Sequence, residues 1–245
     1  MKSHPIWAMH GFLGHHSDFD LFQHQGWNIQ AVDLVGHGAF QSDATQFSTA
    51  AQVTYWSQHL PSNAVVMGYS MGARLALQIA VQNPNAYKGL ILIGGTPGIE
   101  NETEIQQRQL WDQRQAERIL ELGMCAFLDE WQQMPIIQSQ ENIALELRQK
   151  MRYYREQQNP IQMAYSMKYF GTGRMPHCWN QLNNLKIPVL LVVGAFDQKY
   201  LEIAQKMQRY LPSSTLLIIP NAGHCAHLEQ PVPFMQEVHT WLASI

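Results

Sequence analysis

Six short apolar runs, each ended by glycine, a polar cluster or a turn, constrain this chain more than any other feature. They lie at 6–9, 29–34, 64–67, 90–93, 189–193 and 216–219. Runs of four to six residues that are apolar at consecutive positions fit strands buried on both faces, as in a parallel sheet. Parallel neighbours cannot be joined by hairpins, so each step needs a crossover, and helical patterns at 71–81, 201–211 and 232–242 supply them. The expected architecture is an open, mostly parallel α/β sheet of about six strands with helices on both faces. The alternation stops between Pro97 and about Leu182, where the chain turns Gln-, Glu- and Arg-rich with scattered aromatics. A structureless loop of that length does not fit a compact domain. Residues 97–182 are therefore expected to form a helical lid over the carboxyl edge of the sheet, inserted into a core made of 1–96 and 183–245.

Composition sets outer bounds. In 245 residues, 46% are hydrophobic, enough for one substantial core, and the formal charge of -3 excludes a basic chain built to coat nucleic acid or anionic lipid. Cys125, Cys178 and Cys225 are too few and too scattered for a disulfide scaffold or a zinc site. No run approaches the ~18 apolar residues of a membrane span, and none of signal-peptide length precedes Gly11. The expectation is a soluble cytoplasmic protein with no nucleic-acid partner and no membrane insertion; its oligomeric state is not legible.

Function is carried by Val66-Met67-Gly68-Tyr69-Ser70-Met71-Gly72, where an apolar run ends in G-x-S-x-G and a helical pattern begins at once. That context is a nucleophile elbow: a turn so tight that side chains at 68 and 72 would strike neighbouring backbone, holding Ser70 exposed at a helix N-terminus. A serine hydroxyl needs a histidine held by a carboxylate. Asp197 follows one apolar run and His224 another, so the order Ser, Asp, His is that of an α/β-hydrolase fold. Two plainer readings compete: Asp197 as a helix N-cap, and His227 as the imidazole in place of His224, against which Gly223 supplies a turn just before His224. The loop His10-Gly11-Phe12-Leu13-Gly14 after the first run supplies the second oxyanion donor, so the N–H groups of Phe12 and Met71 are expected to face developing negative charge. The loop from Asp33 to Gly38 reads as structural.

Arg74 sits one turn into an otherwise apolar helix, where it is either an anion ligand or a salt-bridged, snorkelling side chain. In the lid, Arg148, Lys150, Arg152 and Arg155 crowd together with no acid between them, and Arg148, Arg152 and Arg155 share one helical face. Guanidinium forks suit carboxylates, so an anionic substrate is indicated, with a solvated basic face as the bland alternative. Six histidines fall in the first 37 residues (His4, His10, His15, His16, His24 and His37), but without HExxH or comparable spacing they read as packing or solvent groups rather than metal ligands.

Beyond these motifs, HGFLG, DLVGHG, GYSMGARLALQIA, GGTPGIE, AFLDEWQQMPI, REQQNP, GAFDQKY and GHCAHLEQP, spread over nearly the full length, resemble the 2-succinyl-6-hydroxy-2,4-cyclohexadiene-1-carboxylate synthase family of menaquinone biosynthesis, within the α/β-hydrolases. The resemblance implies an elimination rather than a hydrolysis: a ring proton is removed and pyruvate departs from a tricarboxylate, with no metal or organic cofactor. It implies Ser70, Asp197 and His224 as catalytic residues and Arg74, Arg108 and Arg155 as carboxylate ligands, with Arg152 an alternative to Arg155. Tyr69 and Trp131 become pocket aromatics. The chain departs from the family at Ala73, where glycine is usual, at Val35, where proline is common, and in starting almost directly on the HGFLG run. Competing readings are a serine carboxylesterase or thioesterase, or a carbon–carbon bond hydrolase, with Ser70 as covalent nucleophile, and a degenerate fold acting as a receptor.

Overall fold

The computed structural model describes residues 5–245. Six strands, β1 (Ile6–Met9), β2 (Ile29–Val32), β3 (Val65–Tyr69), β4 (Gly89–Ile93), β5 (Val189–Gly194) and β6 (Ser214–Ile219), form one sheet in the order β2-β1-β3-β4-β5-β6. Every neighbouring pair is parallel. The helices are α1 (Asp20–His24), α2 (Thr49–His59), α3 (Met71–Gln82), α4 (Glu102–Trp131), α5 (Pro135–Gln138), α6 (Leu145–Glu156), α7 (Pro160–Phe170), α8 (Gln198–Gln208), α9 (Ala226–Glu229) and α10 (Pro231–Ala243). The chain steps from β1 outward to β2, then crosses back to β3, so strand order reverses between β1 and β3. Open α/β sheets place ligands in the crevice at such a switch.

Pleating sorts the strand side chains into two cores. Ile6, Ala8, Val65, Met67, Ile91, Ile93, Leu190 and Val192 face one way, against Phe19, Phe22, Phe234 and Val238. Met9, Val66, Leu90, Leu92, Val189, Leu191 and Val193 face the other, against Leu75, Leu77, Ile79 and Met207. Both faces are covered, which is why these segments read as continuous apolar runs instead of alternating ones.

Two boundaries moved for physical reasons. The run expected at 29–34 stops at Val32, because the Asp33 carboxylate turns back to accept from the backbone N–H (2.8 Å) and Nδ1 (3.0 Å) of His16. The run expected to end at Met67 continues to Tyr69, since Gly68 has no side chain to oppose the turn of α3 beneath it. The helix α2 had no counterpart in the hydrophobic pattern. It buries only Val53 and Trp56 among its large apolar residues and begins on a cap in which the Ser48 hydroxyl accepts from Ala51 N–H at 3.2 Å.

Between β4 and β5 lie α4, α5, α6 and α7. They carry a third, smaller core in which Ala116, Ile119, Phe127 and Leu128 pack on Met163, Ala164 and Met167. The long α4 is broken at Gly123, whose φ of 70° only glycine adopts freely. Glutamines stitch this helical layer to the loops at the carboxyl edge: Gln158 donates to Gly14 C=O at 3.0 Å and accepts from Gly38 N–H at 3.0 Å, while Gln162 does the same with Ser42 C=O (2.8 Å) and N–H (2.9 Å). Among the described residues, no helix is long and apolar enough to cross a membrane. His4 lies outside the described residues.

Candidate active site

Ser70 joins β3 to α3 with φ 50° and ψ -105°, a strained conformation for a residue with a side chain. The two glycines around it are steric necessities. A Cβ at Gly68 would enter the Gly72 backbone, and one at Gly72 would enter the Met9 carbonyl. The hydroxyl is thereby turned out of the sheet. It lies 2.9 Å from His224 Nε2, and His224 Nδ1 lies 2.6 Å from Asp197 Oδ2. A carboxylate can only accept, so Nδ1 carries the proton and Nε2 is left to accept from Ser70. The side chains of Asp197 and His224 are both largely covered. The competing reading of Asp197 also holds: its Oδ1 caps α8 by accepting from Tyr200 N–H at 3.4 Å, so one carboxylate serves both partners.

His227 takes no part. It is buried in the core among Phe19, Phe22 and Tyr69, where desolvation drops its pKa to about 3. The expected turn at Gly223 is corrected in its cause: the positive φ falls on Asn221 (56°), whereas a Cβ at Gly223 would collide with the Ser139 side chain.

Phe12 and Met71 both line the cavity above Ser70, and among the described residues no acceptor engages the backbone N–H of either one. The loop bearing Phe12 is fixed by two buried histidines. His10 Nε2 accepts from Leu34 N–H at 3.1 Å and His37 Nε2 accepts from Leu13 N–H at 3.3 Å. Burial lowers their pKa values to about 4 and about 3, so both stay neutral acceptors. The Asp33 to Gly38 loop therefore shapes the site through the backbone N–H of Leu34 and through the side chains of Asp33 and His37.

The cavity has a volume of about 430 Å³ and is walled by α3 and the catalytic loops below and by α4–α7 above. Arg74, Arg108, Arg155 and Lys199 all reach it, and among the described residues no carboxylate lines it. Arg74 is 7% exposed and meets only the Phe170 carbonyl (3.2 Å), the Met175 sulfur (3.9 Å) and the Phe170 ring. Among the described residues no carboxylate forms an ion pair with it, so it is neither salt-bridged nor snorkelling, and Asp112 reaches it only as a weaker, more distant charge. Burial first, and Arg108 next, push its pKa down to about 10, still charged at neutral pH. Arg108 spends part of its charge on Asp112 (2.7 Å) and stacks over Trp111. Among the described residues Arg155 donates only to the Gln140 amide oxygen, at 3.1 Å through each terminal nitrogen, its Nε is buried with no hydrogen-bond partner, and its charge also acts on the buried Asp18 carboxyl. Arg152 turns away to Glu156 (2.6 Å) and Asp129 (2.9 Å) and does not line the cavity. Tyr69 and Trp131 do, Trp131 packing edge-on against Phe12 at 5.4 Å. Sequence reasoning passed over Lys199 and Tyr200. The Tyr200 ring stands 4.5 Å from that of His224, and Lys199 and Tyr200 occupy the first turn of α8 right after Asp197. Their position beside a triad acid was the available signal.

The family model of the α/β hydrolase fold matches residues 5–231. A putative 2-succinyl-6-hydroxy-2,4-cyclohexadiene-1-carboxylate synthase of Bacillus subtilis is 33% identical over 251 residues, covering 99% of this chain and 92% of the relative. The chain belongs to the 2-succinyl-6-hydroxy-2,4-cyclohexadiene-1-carboxylate synthase family of α/β-hydrolases. Among solved structures, MenH from S. aureus superposes with a TM-score of 0.92 at 29% identity, covering 100% of this chain and 95% of that one. A thermophilic esterase from Thermogutta terrifontis superposes at 0.80 with 24% identity, covering 98% and 89%, which speaks to the fold alone. Synthase and esterase share the scaffold, so the fold by itself does not choose between the two activities.

Proposed function

We propose that this protein is a carbon–oxygen lyase that eliminates pyruvate from 2-succinyl-5-enolpyruvyl-6-hydroxy-3-cyclohexene-1-carboxylate, giving 2-succinyl-6-hydroxy-2,4-cyclohexadiene-1-carboxylate for menaquinone biosynthesis. One observation carries the reading: a serine–histidine–aspartate line opens into a cavity with four cations and no acid. A buried guanidinium with no ion-pair partner among the described residues, as at Arg74, is costly, and a substrate carboxylate supplies the closer charge. Three substrate carboxylates against Arg74, Arg108 and Arg155 orient the ring over Ser70.

In the elimination, the Ser70 oxygen takes the ring proton as its own proton passes to His224 Nε2, while Asp197 stabilises the imidazolium. The N–H groups of Phe12 and Met71 hold the enolate-like oxygen of the succinyl ketone. The electron pair then expels enolpyruvate as the carbon–oxygen bond breaks. The proton on His224 goes to the departing group, which leaves as pyruvate, and the enzyme returns to its starting state. Residues 97–182 act as the lid that shuts out water, and no cofactor enters the scheme. A cytoplasmic location is supported by three free cysteines, Cys125 among them exposed.

A coupled assay for pyruvate on the enolpyruvyl tricarboxylate tests the reading. The parent protein releases pyruvate and Ser70→Ala, still folded, does not. Turnover of a neutral aryl ester with an acyl-enzyme burst, and no pyruvate from the tricarboxylate, would replace the lyase by the esterase that the same triad geometry permits.

A further inference from the structure

Glu229, the last residue of α9, lies outside the cavity and is 4% exposed. It nevertheless collects three hydrogen bonds of a particular kind. Gly223 N–H donates to Oε2 at 2.6 Å and Cys225 N–H donates to Oε1 at 3.0 Å. These two amides bracket His224. The third bond comes from the helical layer above, where the Ser139 hydroxyl donates to the same Oε1 at 2.9 Å. The next residue, Gln140, accepts from both terminal nitrogens of Arg155 at 3.1 Å. A two-residue strap thus joins a cavity guanidinium to the backbone that carries the imidazole. Its fit is close enough that Gly223 has no room for a side chain beneath Ser139.

The geometry points to Glu229 as a positioning residue that holds the His224 loop at both flanking amides and ties it, through Ser139 and Gln140, to Arg155. The inference rests on the proposed role of His224 as acceptor of the Ser70 proton. An ionised carboxylate is suited to the task because it accepts at both oxygens and offers no donor to oppose an N–H. In Glu229→Gln one of the bracketing amides loses its acceptor and faces an NH₂ group instead. The ring then drifts from Ser70, and an ångström of misplacement in a proton-transfer pair costs up to about 100-fold.

The test combines Glu229→Gln and Ser139→Ala with two readouts in the full-length protein. In Glu229→Gln, kcat for pyruvate release falls by about 10- to 100-fold with KM nearly unchanged. The downfield proton resonance of His224 Nδ1–H against Asp197, observed without substrate, broadens or disappears. In Ser139→Ala, kcat falls about 3- to 10-fold, the worth of one hydrogen bond, with the thermal melt unchanged. Should Glu229→Gln fail to fold, the Ser139→Ala result alone decides, and parental kcat there overturns the strap. A Glu229→Gln protein whose kcat per folded molecule and resonance match the parent overturns the positioning role. If the parent itself releases no pyruvate, the proposed reaction fails. The resonance still reports on the loop, because it needs no substrate.

Discussion

The floor and the roof of the cavity are held together by different physics. The floor is the carboxyl edge of a sheet whose strands are apolar on both faces, and its catalytic groups ride on turns with no free volume, such as that of Gly68 and Gly72. The roof has a small core of its own and meets the floor through a mixed seam, in which Ile143, Met151 and Phe170 enter the cores of the sheet while Gln158 and Gln162 bond to loop backbone. Apolar interdigitation resists displacement in every direction, whereas an amide-to-backbone bond can be exchanged for one to water at a net cost of about 0.5–1.5 kcal/mol. In the proposed scheme the chemistry rests on the floor, and carboxylate capture is shared with the roof.

Substitutions can break this contrast in order of size. Ser70→Ala removes the base from the floor and is expected to lower kcat by up to about 10⁴-fold while leaving the denaturant midpoint unchanged; pyruvate release under saturating substrate measures it. Arg74→Ala removes a desolvated charge contact, and kcat/KM should fall by about 2–5 kcal/mol, roughly 30-fold or more. Steady-state kinetics with the substrate and with a truncated analogue lacking one carboxylate separate the two effects, since the variant should discriminate less between them.

Acid should weaken the floor before it reaches the roof. His10, His37 and His227 sit buried with pKa values lowered from 6.5 to about 4, 3 and 3, so the unfolded chain binds protons that the folded one refuses. Their contribution is complete above 6.5 and is lost as the pH falls toward 4, each proton difference costing about 1.4 kcal/mol per pH unit. Asp18 opposes them. Burial raises its carboxyl to about 6, so the folded chain holds that proton more tightly between about 4 and 6. Three groups against one leave a net loss, and urea titrations at pH 7 and pH 5 should show a lower midpoint at pH 5 and a shallower difference in His37→Asn. The smallest effect belongs to the seam: Gln158→Ala strips two bonds between roof and floor, and should raise KM several-fold for about 1–3 kcal/mol of lost attachment, with amide exchange accelerating in α6 and not in β3.

The same division explains what could be read from the chain alone. The strands and the residues Ser70, Asp197 and His224 were legible because glycine spacing, apolar runs and chain order are local facts. The arginines needed more, since nothing local separates Arg155, which faces the cavity, from Arg152, which turns to Glu156 and Asp129. Lys199 and Tyr200 were hidden by their ordinary helical setting. The bond from Ser139 to Glu229 joins residues 90 positions apart, a pairing that no local pattern announces. The helix α2 escaped because it buries little and leans on its cap.

Asp197 both starts a helix and steadies an imidazole. Asparagine there would still offer an oxygen to Tyr200 N–H, yet it could no longer balance a charged ring. A lineage could therefore abandon the reaction by exchanging a single oxygen for nitrogen while its architecture persisted, leaving an intact shell whose silence only an assay would detect.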